Sequence, residues 1–344
     1  MSCLTLSVAC GLEELLSIQE DWEELWRSDL DCTPFQSPGW LIPYLQVFRP
    51  ESVSVLLIRR QHRLIGCFPF WRDDSSGRPV LKILGQGVSD YLDALCQVEE
   101  RTRITPLIED WLATELQFCH LAEFSQLRKD AVLRSIPGPS RFCETIRSGV
   151  ACPALSLFPF KGSGEPAFPP AMKRNTENSY RQAAKIGPVQ LDMADNASFD
   201  DILGDLFRLH AKRWQQRGSP GVLANAEQQA FCREAFYGLN RLACIKLFRL
   251  RIGTAPVAVL VALCQNQVVY YYIGAFDPEY SKFGPGNLII RQVIEFCAKS
   301  GFRWFDFLRG QEAYKYKWGA KDQETYVRQI RLQEDCNSRP ARQR

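Results

Sequence analysis

The chain has 344 residues, 46% of them hydrophobic and 24% charged, with a formal net charge of +3. That is enough length for two domains with separate cores, and too small and dispersed a charge to argue for nucleic acid. No run approaches the roughly 20 apolar residues needed to span a bilayer. The thirteen cysteines contain no C-x-x-C pair, and Cys67, Cys244, Cys264 and Cys297 lie inside apolar runs, where they read as small hydrophobes of a protein in a reducing cytosol. Of the three histidines, His62, His120 and His210, none has a second ligand at a metal-like spacing, so no metal is expected.

In chain order, Met1 to Cys10 reads as a first strand, because its apolar run is too short and lacks the basic start of a leader. A helix from about Leu12 to Ser28 follows, and Pro34 to Trp40 opens a second, short one. Val53 to Ile58 and Leu64 to Trp71, joined by five polar residues, read as a hairpin. A strand near Val80 to Leu84, the loop Gly85 to Asp93, a helix from about Ile104 to Phe118, and strands at His120 to Phe124 and Ala154 to Phe158 complete the first half. Residues 161–172 are rich in glycine and proline and predict a linker, which divides the chain into lobes 1–160 and 173–335. Residues 336–344 form a basic tail, expected to be disordered.

The second half opens with a basic helix, Lys173 to Lys185, and amphipathic helices from about Phe199 to Arg217 and Ala226 to Leu239. Ile245 to Arg251 and Pro256 to Cys264 form a hairpin across Gly253-Thr254, and Val268 to Phe276 adds a third strand. The run then passes through Gly284-Pro-Gly286-Asn287 into a helix marked by Ile289, Ile290, Val293, Ile294 and Cys297 and closed by Gly301. Phe302 to Leu308 is a fourth strand, followed by a short helix and a last strand from Thr325 to Leu332. The two hairpins, near 53–70 and 245–262, hold similar places in each half and suggest two related lobes of a mixed α/β (α+β) fold.

The glycine turn is the feature richest in chemistry. A helix that starts at glycines carries unpartnered N–H groups and the positive end of its dipole, a setting that holds a phosphate; alternatively it is only a tight turn before a surface helix.

The order of elements in the second lobe resembles the GNAT acyltransferase core. The words Phe305-Asp-Phe-Leu-Arg-Gly310, Glu312-Ala-Tyr-Lys-Tyr-Lys-Trp-Gly-Ala320, Ser89-Asp-Tyr-Leu-Asp93 and Leu209-His-Ala-Lys-Arg-Trp214 together resemble the CelD type of GNAT-related protein, associated with bacterial cellulose and polysaccharide biosynthesis. The resemblance runs over nearly the whole chain. It implies tandem GNAT-like lobes, each a mixed, mostly antiparallel sheet flanked by helices, the first degenerate, in the manner of Fem-type transferases. It also implies acetyl-CoA or another acyl-CoA as co-substrate, and direct transfer in a cleft between the lobes to a small-molecule amine or hydroxyl, with a saccharide or envelope precursor favoured and polysaccharide-synthesis machinery as a partner. On the same resemblance a backbone N–H near Ile273 or Gly274 polarises the thioester carbonyl, Gly284, Gly286 and Asn287 face the pyrophosphate, and Tyr272 lies beside the substrates. Two departures stand out: Ser281 where the family usually carries Arg or Gln, and Pro285, which has no N–H.

Direct transfer needs a base for the nucleophile and an acid for the leaving thiolate. Asp306, on one strand face with Trp304, is a base, or else it caps the following loop or pairs with Arg309. Lys315 resembles the lysine of the Fem-type lysine-aromatic-glycine segment that stabilises the acyl carbonyl, or is an ordinary solvated lysine. Tyr314 is an acid for the thiolate or a packing residue. His210 and Trp214, one helical turn apart, share a face that could bind an acceptor and take its proton, or serve structure alone. Asp90 and Asp93 hydrogen-bond an acceptor or stabilise their turn.

Overall fold

The computed structural model describes residues 4–158, 168–216, 218 and 221–332, and the chain divides into two units, residues 1–150 with 324–344 and residues 151–323. The strand β1 (Leu4–Ala9) leads into the helices α1 (Leu12–Ser17), α2 (Gln19–Ser28) and α3 (Pro38–Phe48), then the strands β2 (Val53–Arg60), β3 (Arg63–Asp73), β4 (Val80–Ile83) and β5 (Leu95–Cys96). Next come α4 (Arg101–Glu115), β6 (Leu121–Leu127), α5 (Val132–Ser135) and β7 (Phe142–Ser148). The second unit holds β8 (Cys152–Ser156), α6 (Pro170–Ala183), β9 (Val189–Met193), α7 (Phe199–Gln216), α8 (Ala226–Arg241), β10 (Ile245–Ile252), β11 (Ala255–Gln265), β12 (Val268–Phe276), α9 (Pro285–Lys299), β13 (Trp304–Asp306), α10 (Ala313–Tyr316) and β14 (Lys321–Gln323). The chain then returns to the first unit with β15 (Tyr326–Leu332).

The first sheet runs β1-β2-β3-β4-β6-β15-β7, with β5 against β3, and the second β14-β8-β13-β12-β11-β10-β9. Read from opposite ends the two orders correspond. Each contains one parallel pair, β4 with β6 and β12 with β13, and a helix, α4 or α9, links the strands of that pair. All other pairs are antiparallel. This is the mixed, mostly antiparallel architecture that the resemblance implied, with the two lobes that the hairpins suggested.

Each sheet packs its own core. Val257, Leu260, Ala262, Val269 and Phe305 meet Leu288, Val293, Ile294 and Cys297 of α9 in the second unit. Ile58, Phe68, Phe70 and Phe124 meet Ile104, Ile108 and Leu112 of α4 in the first. The stripe at helical spacing along α9 is buried because sheet burial of so many apolar side chains outweighs the modest intrinsic preference of β-branched residues against helix. Cys67, Cys244, Cys264 and Cys297 are buried free thiols, as their apolar surroundings predict.

The lobe boundaries differ from the sequence reading at two strands. The strand near 154–158, assigned to the first lobe, is β8 and pairs with β13 and β14 of the second sheet; the strand of 325–332, assigned to the second lobe, is β15 and pairs with β6 and β7 of the first. Nearness in sequence misleads here because a short strand carries no mark of its partner, only of its own alternation. The linker of 161–172 lies mostly outside the described residues, its last residues starting α6, and the tail 336–344 lies wholly outside them.

Candidate functional site

The second unit is open along one strand. β12 is nine residues long and pairs with β11 from Val268 to Phe276, yet β13 accompanies it only at Val268, Val269 and Tyr270. From Tyr271 to Phe276 that edge has no strand partner among the described residues. The register with β11 also shifts here: Val261 faces Ile273 and Ala262 faces Tyr271, so Tyr272 is the extra residue of a bulge. A bulge bends its strand and turns backbone groups outward. Ile273 and Gly274 therefore sit half-buried at the point where the strand leaves its neighbour.

Aromatic side chains wall this edge. Tyr271 approaches Phe305 and Phe307, each with ring centroids 6.3 Å away, and Tyr314 meets Phe307 edge-on at 6.2 Å. A Cβ added to Gly274 would stand 2.3 Å from the Tyr271 hydroxyl, so glycine is what lets that hydroxyl lie against the strand. Burial pushes the Tyr271 hydroxyl up to about 12, with Arg213 opposing and Glu312 adding to the shift. Burial also raises Tyr314, seconded by Tyr271 and Glu312 and opposed by Arg213. Both phenols hold their protons at neutral pH and can donate them.

His210 and Trp214 of α7 face each other with centroids 5.9 Å apart, beside a recess of about 440 Å³ that Gln215, Leu223 and Gln229 also line. His210 is buried. Desolvation first, then the charge of Arg213, holds its imidazole down to about 4, so it is neutral at physiological pH and able to accept a proton. Tyr272 packs edge-on to Phe236 of α8, with centroids 6.0 Å apart.

At the glycine turn, Asp277 accepts the Glu279 N–H at 3.0 Å and pairs with Lys212 of α7 at 2.8 Å, tying the turn to that helix. Gly284 is left-handed, φ +58, ψ 46, and caps α9. Its carbonyl accepts the N–H of both Asn287 and Leu288 at 3.0 Å, while its own N–H goes to the Ser281 carbonyl. Of the three residues expected to face a pyrophosphate, Asn287 thus has its amide turned inward. With Pro285 lacking a donor, the half-buried Gly286 carries the amide left without a partner among the described residues.

Two expected catalytic side chains are bound into the loop between β13 and α10. The Lys315 ammonium, 2% exposed, donates to the carbonyls of Leu308, Arg309 and Gly310 at 3.0, 2.9 and 3.0 Å and pairs with Glu312 at 2.9 Å. Its three protons are spent, which corrects the expectation of a free electrophile. Asp306, buried, accepts the Leu308 N–H at 2.7 Å, the capping alternative, and helps hold Leu308 at φ +58. In the first unit Asp93 accepts the N–H groups of Ala94, Val132 and Leu133 at 2.8, 2.8 and 3.0 Å. Burial raises its carboxyl to about 6. It staples two segments, the turn-stabilising alternative, while also lining a small recess with Arg101 and Arg128, and Asp90 beside it is buried too. Arg213 and Tyr271 were not singled out by sequence reasoning; Arg213 stands one residue before Trp214 in a quoted word, but nothing in its spacing marks it.

Among the described residues no group of three or more His, Cys, Asp or Glu side chains is placed to hold a metal ion, and no helix is long and apolar enough to cross a membrane.

Known proteins give the same picture from outside. Residues 171–316 match the family model described as "Acetyltransferase (GNAT) domain". No curated protein sequence matches the chain. Among solved structures, FemX is similar at a TM-score of 0.64 and 10% identity, over 90% of this chain and 95% of that one. The C-terminal domain of a protein assigned as a lysylphosphatidylglycerol synthetase in Agrobacterium fabrum is similar at 0.58 and 10%, over 93% of each chain. L-PGS from Bacillus licheniformis follows at 0.55 and 11%, over 88% and 93%. At such identities the likeness is one of fold. The chain therefore shares the fold of FemX, and residues 171–316 within it are similar to the acetyltransferase (GNAT) domain.

Proposed function

We propose that the second unit moves an acyl group, acetyl being the simplest, from acyl-CoA directly to an amine or hydroxyl acceptor. The observation that carries this reading is the parting of β12 from β13 after Tyr270, with a bulge at Tyr272 and a bare Gly274 beside it. A thioester laid along that edge meets backbone amides of Ile273 and Gly274 able to polarise its carbonyl, a preorganised dipole of the kind that lowers acyl-transfer barriers. Gly286 and the dipole of α9 take the pyrophosphate. Tyr314 gives its proton to the leaving thiolate, and neutral His210 accepts one from the nucleophile, while Trp214 and Tyr272 contact the acceptor. Lys315 and Asp306 act by fixing the loop that carries Phe307 and Tyr314.

The resemblance to the CelD type favours a saccharide or cell-envelope precursor as acceptor, in association with polysaccharide-synthesis machinery; ten thiols among the described residues are free, in keeping with a reducing cytosol, while Cys143 is disulfide-bonded. A second reading, aminoacyl transfer from a tRNA, takes its support from the likeness to FemX; a net charge of +3 counts against it.

The test is the melting temperature with acetyl-CoA. A ligand at one hundred times its dissociation constant stabilises by about 2.7 kcal/mol. Absence of any shift sinks the acyl-CoA reading. Where binding is seen, Tyr314→Phe is expected to retain it and to lose about a hundredfold in turnover.

A further inference from the structure

Tyr271 is a large side chain beside the reacting carbonyl to which the proposed reaction gives no role. A carbonyl polarised by the Ile273 and Gly274 amides lies off the edge that β13 leaves uncovered after Tyr270. From there the acyl tail runs past the side chains of β12. On the Gly274 side the Tyr271 phenol stands in its way: a Cβ on Gly274 would meet the hydroxyl at 2.3 Å and the ring atoms Cε2 and Cζ at 3.0 Å. The next residue, Tyr272, packs against Phe236 of α8 instead.

The Tyr271 ring is backed by others. Its centroid lies 6.3 Å from those of Phe305 and Phe307, which meet each other edge-on at 5.0 Å. Phe305 and Phe307 are buried in the core that α9 shares, whereas Tyr271 is half-buried and so forms part of the wall that an incoming group meets. A close-packed core yields little to an extra methylene, so a tail that reached Tyr271 would have to displace packed rings. A short acyl group ends before the ring.

We propose that Tyr271 sets the length of the acyl group, stopping the tail beside Gly274, so that the donor is a short-chain acyl-CoA and longer aliphatic chains are refused. The proposal rests on the acyl-CoA reading. Replacing the ring by a small side chain leaves an apolar hollow walled by Phe305 and Phe307, in which a longer tail buries its methylenes favourably.

In the test, the full-length wild-type chain and its Tyr271→Ala, Tyr271→Leu and Tyr271→Phe variants are titrated with CoA, acetyl-CoA and hexanoyl-CoA, with melting temperature as readout. The wild type is expected to bind acetyl-CoA about tenfold or more tightly than hexanoyl-CoA. Tyr271→Ala is expected to lose that preference and Tyr271→Phe, which keeps the ring, to retain it; Tyr271→Leu, which leaves a smaller hollow, carries the test if the alanine variant shows no cooperative unfolding of its own. A wild type that binds hexanoyl-CoA as tightly as acetyl-CoA overturns the proposal, as does a preference that is unchanged in the folded small variant. Loss of the preference in Tyr271→Phe assigns it to the hydroxyl rather than to the bulk of the ring and overturns it too. Failure of the wild type to bind any CoA compound removes the acyl-CoA reading itself, a distinguishable outcome.

Discussion

In the first unit β4 is four residues long and pairs with β6 at Val80, Leu81 and Lys82; in the second β12 is nine residues long and pairs with β13 at three positions as well. The surplus of β12 is the open edge. The first unit also fills the segment between the corresponding strand and helix: β5 returns to pair with β3, Glu100 at the start of α4 is buried against Arg60, and Asp93 staples its loop to α5. In the second unit that segment is the turn at Gly284. One topology thus serves twice, closed by side chains in one case and left with free backbone in the other, and strand length beyond the shared pairs is what separates a scaffold from a candidate site.

The largest effect is expected from Lys315→Met. Three carbonyls and Glu312 lose a buried cation, which is expected to cost about 4 kcal/mol in denaturant unfolding. A loss near zero would mean that the loop does not depend on the ammonium, and the contrast between filled and open joints would need another cause.

Acid is expected to act on the two units in opposite senses. Asp93, ordinarily 3.8 and about 6 here, binds its proton more readily folded than unfolded. Its contribution to stability is present at low pH and lost as pH rises from about 4 to about 6. His210, ordinarily 6.5 and about 4 here, binds its proton less readily when folded. Stability is lost as pH falls from 6.5 towards 4. Each effect is on the order of 3 kcal/mol. Unfolding curves of Asp93→Asn and His210→Gln, set against wild type across this range, should each lack one of the two slopes; parallel curves would remove the corresponding residue from this account.

The smallest effect on stability, about 1 kcal/mol, is expected from Gly274→Ala, since the added methyl displaces the Tyr271 hydroxyl. The same change should abolish acetyl-CoA binding by closing the edge, bringing the second unit nearer to the first. Retained binding would show that the ligand does not use this stretch of β12.

Much of the fold was legible in the sequence because apolar alternation and helical spacing are local. The hairpins β2-β3 and β10-β11, the strand β12 and the helix α9 were all anticipated. β7, β9 and β14 were not, since they are short or largely exposed and carry little pattern. Of the candidate site, the glycine turn, His210 and Tyr314 could be named from the sequence, but their states could not. Lys315 is spent on carbonyls that its own loop brings to it, and Asp93 on amides some forty residues away. Arg213 rests on a ring of another element. Hydrogen-bond saturation and through-space charge arise only when distant segments meet, so no spacing rule records them.

The placement of β15 reverses the usual order in which a nascent polypeptide matures. All strands of the second sheet have been synthesised by Gln323, whereas the first sheet has a gap between β6 and β7 until residues 326–332 emerge. Strands β1 to β6 must therefore wait for residues 326–332, with Phe124 and Leu127 on the incomplete rim and reachable by chaperones in the interval.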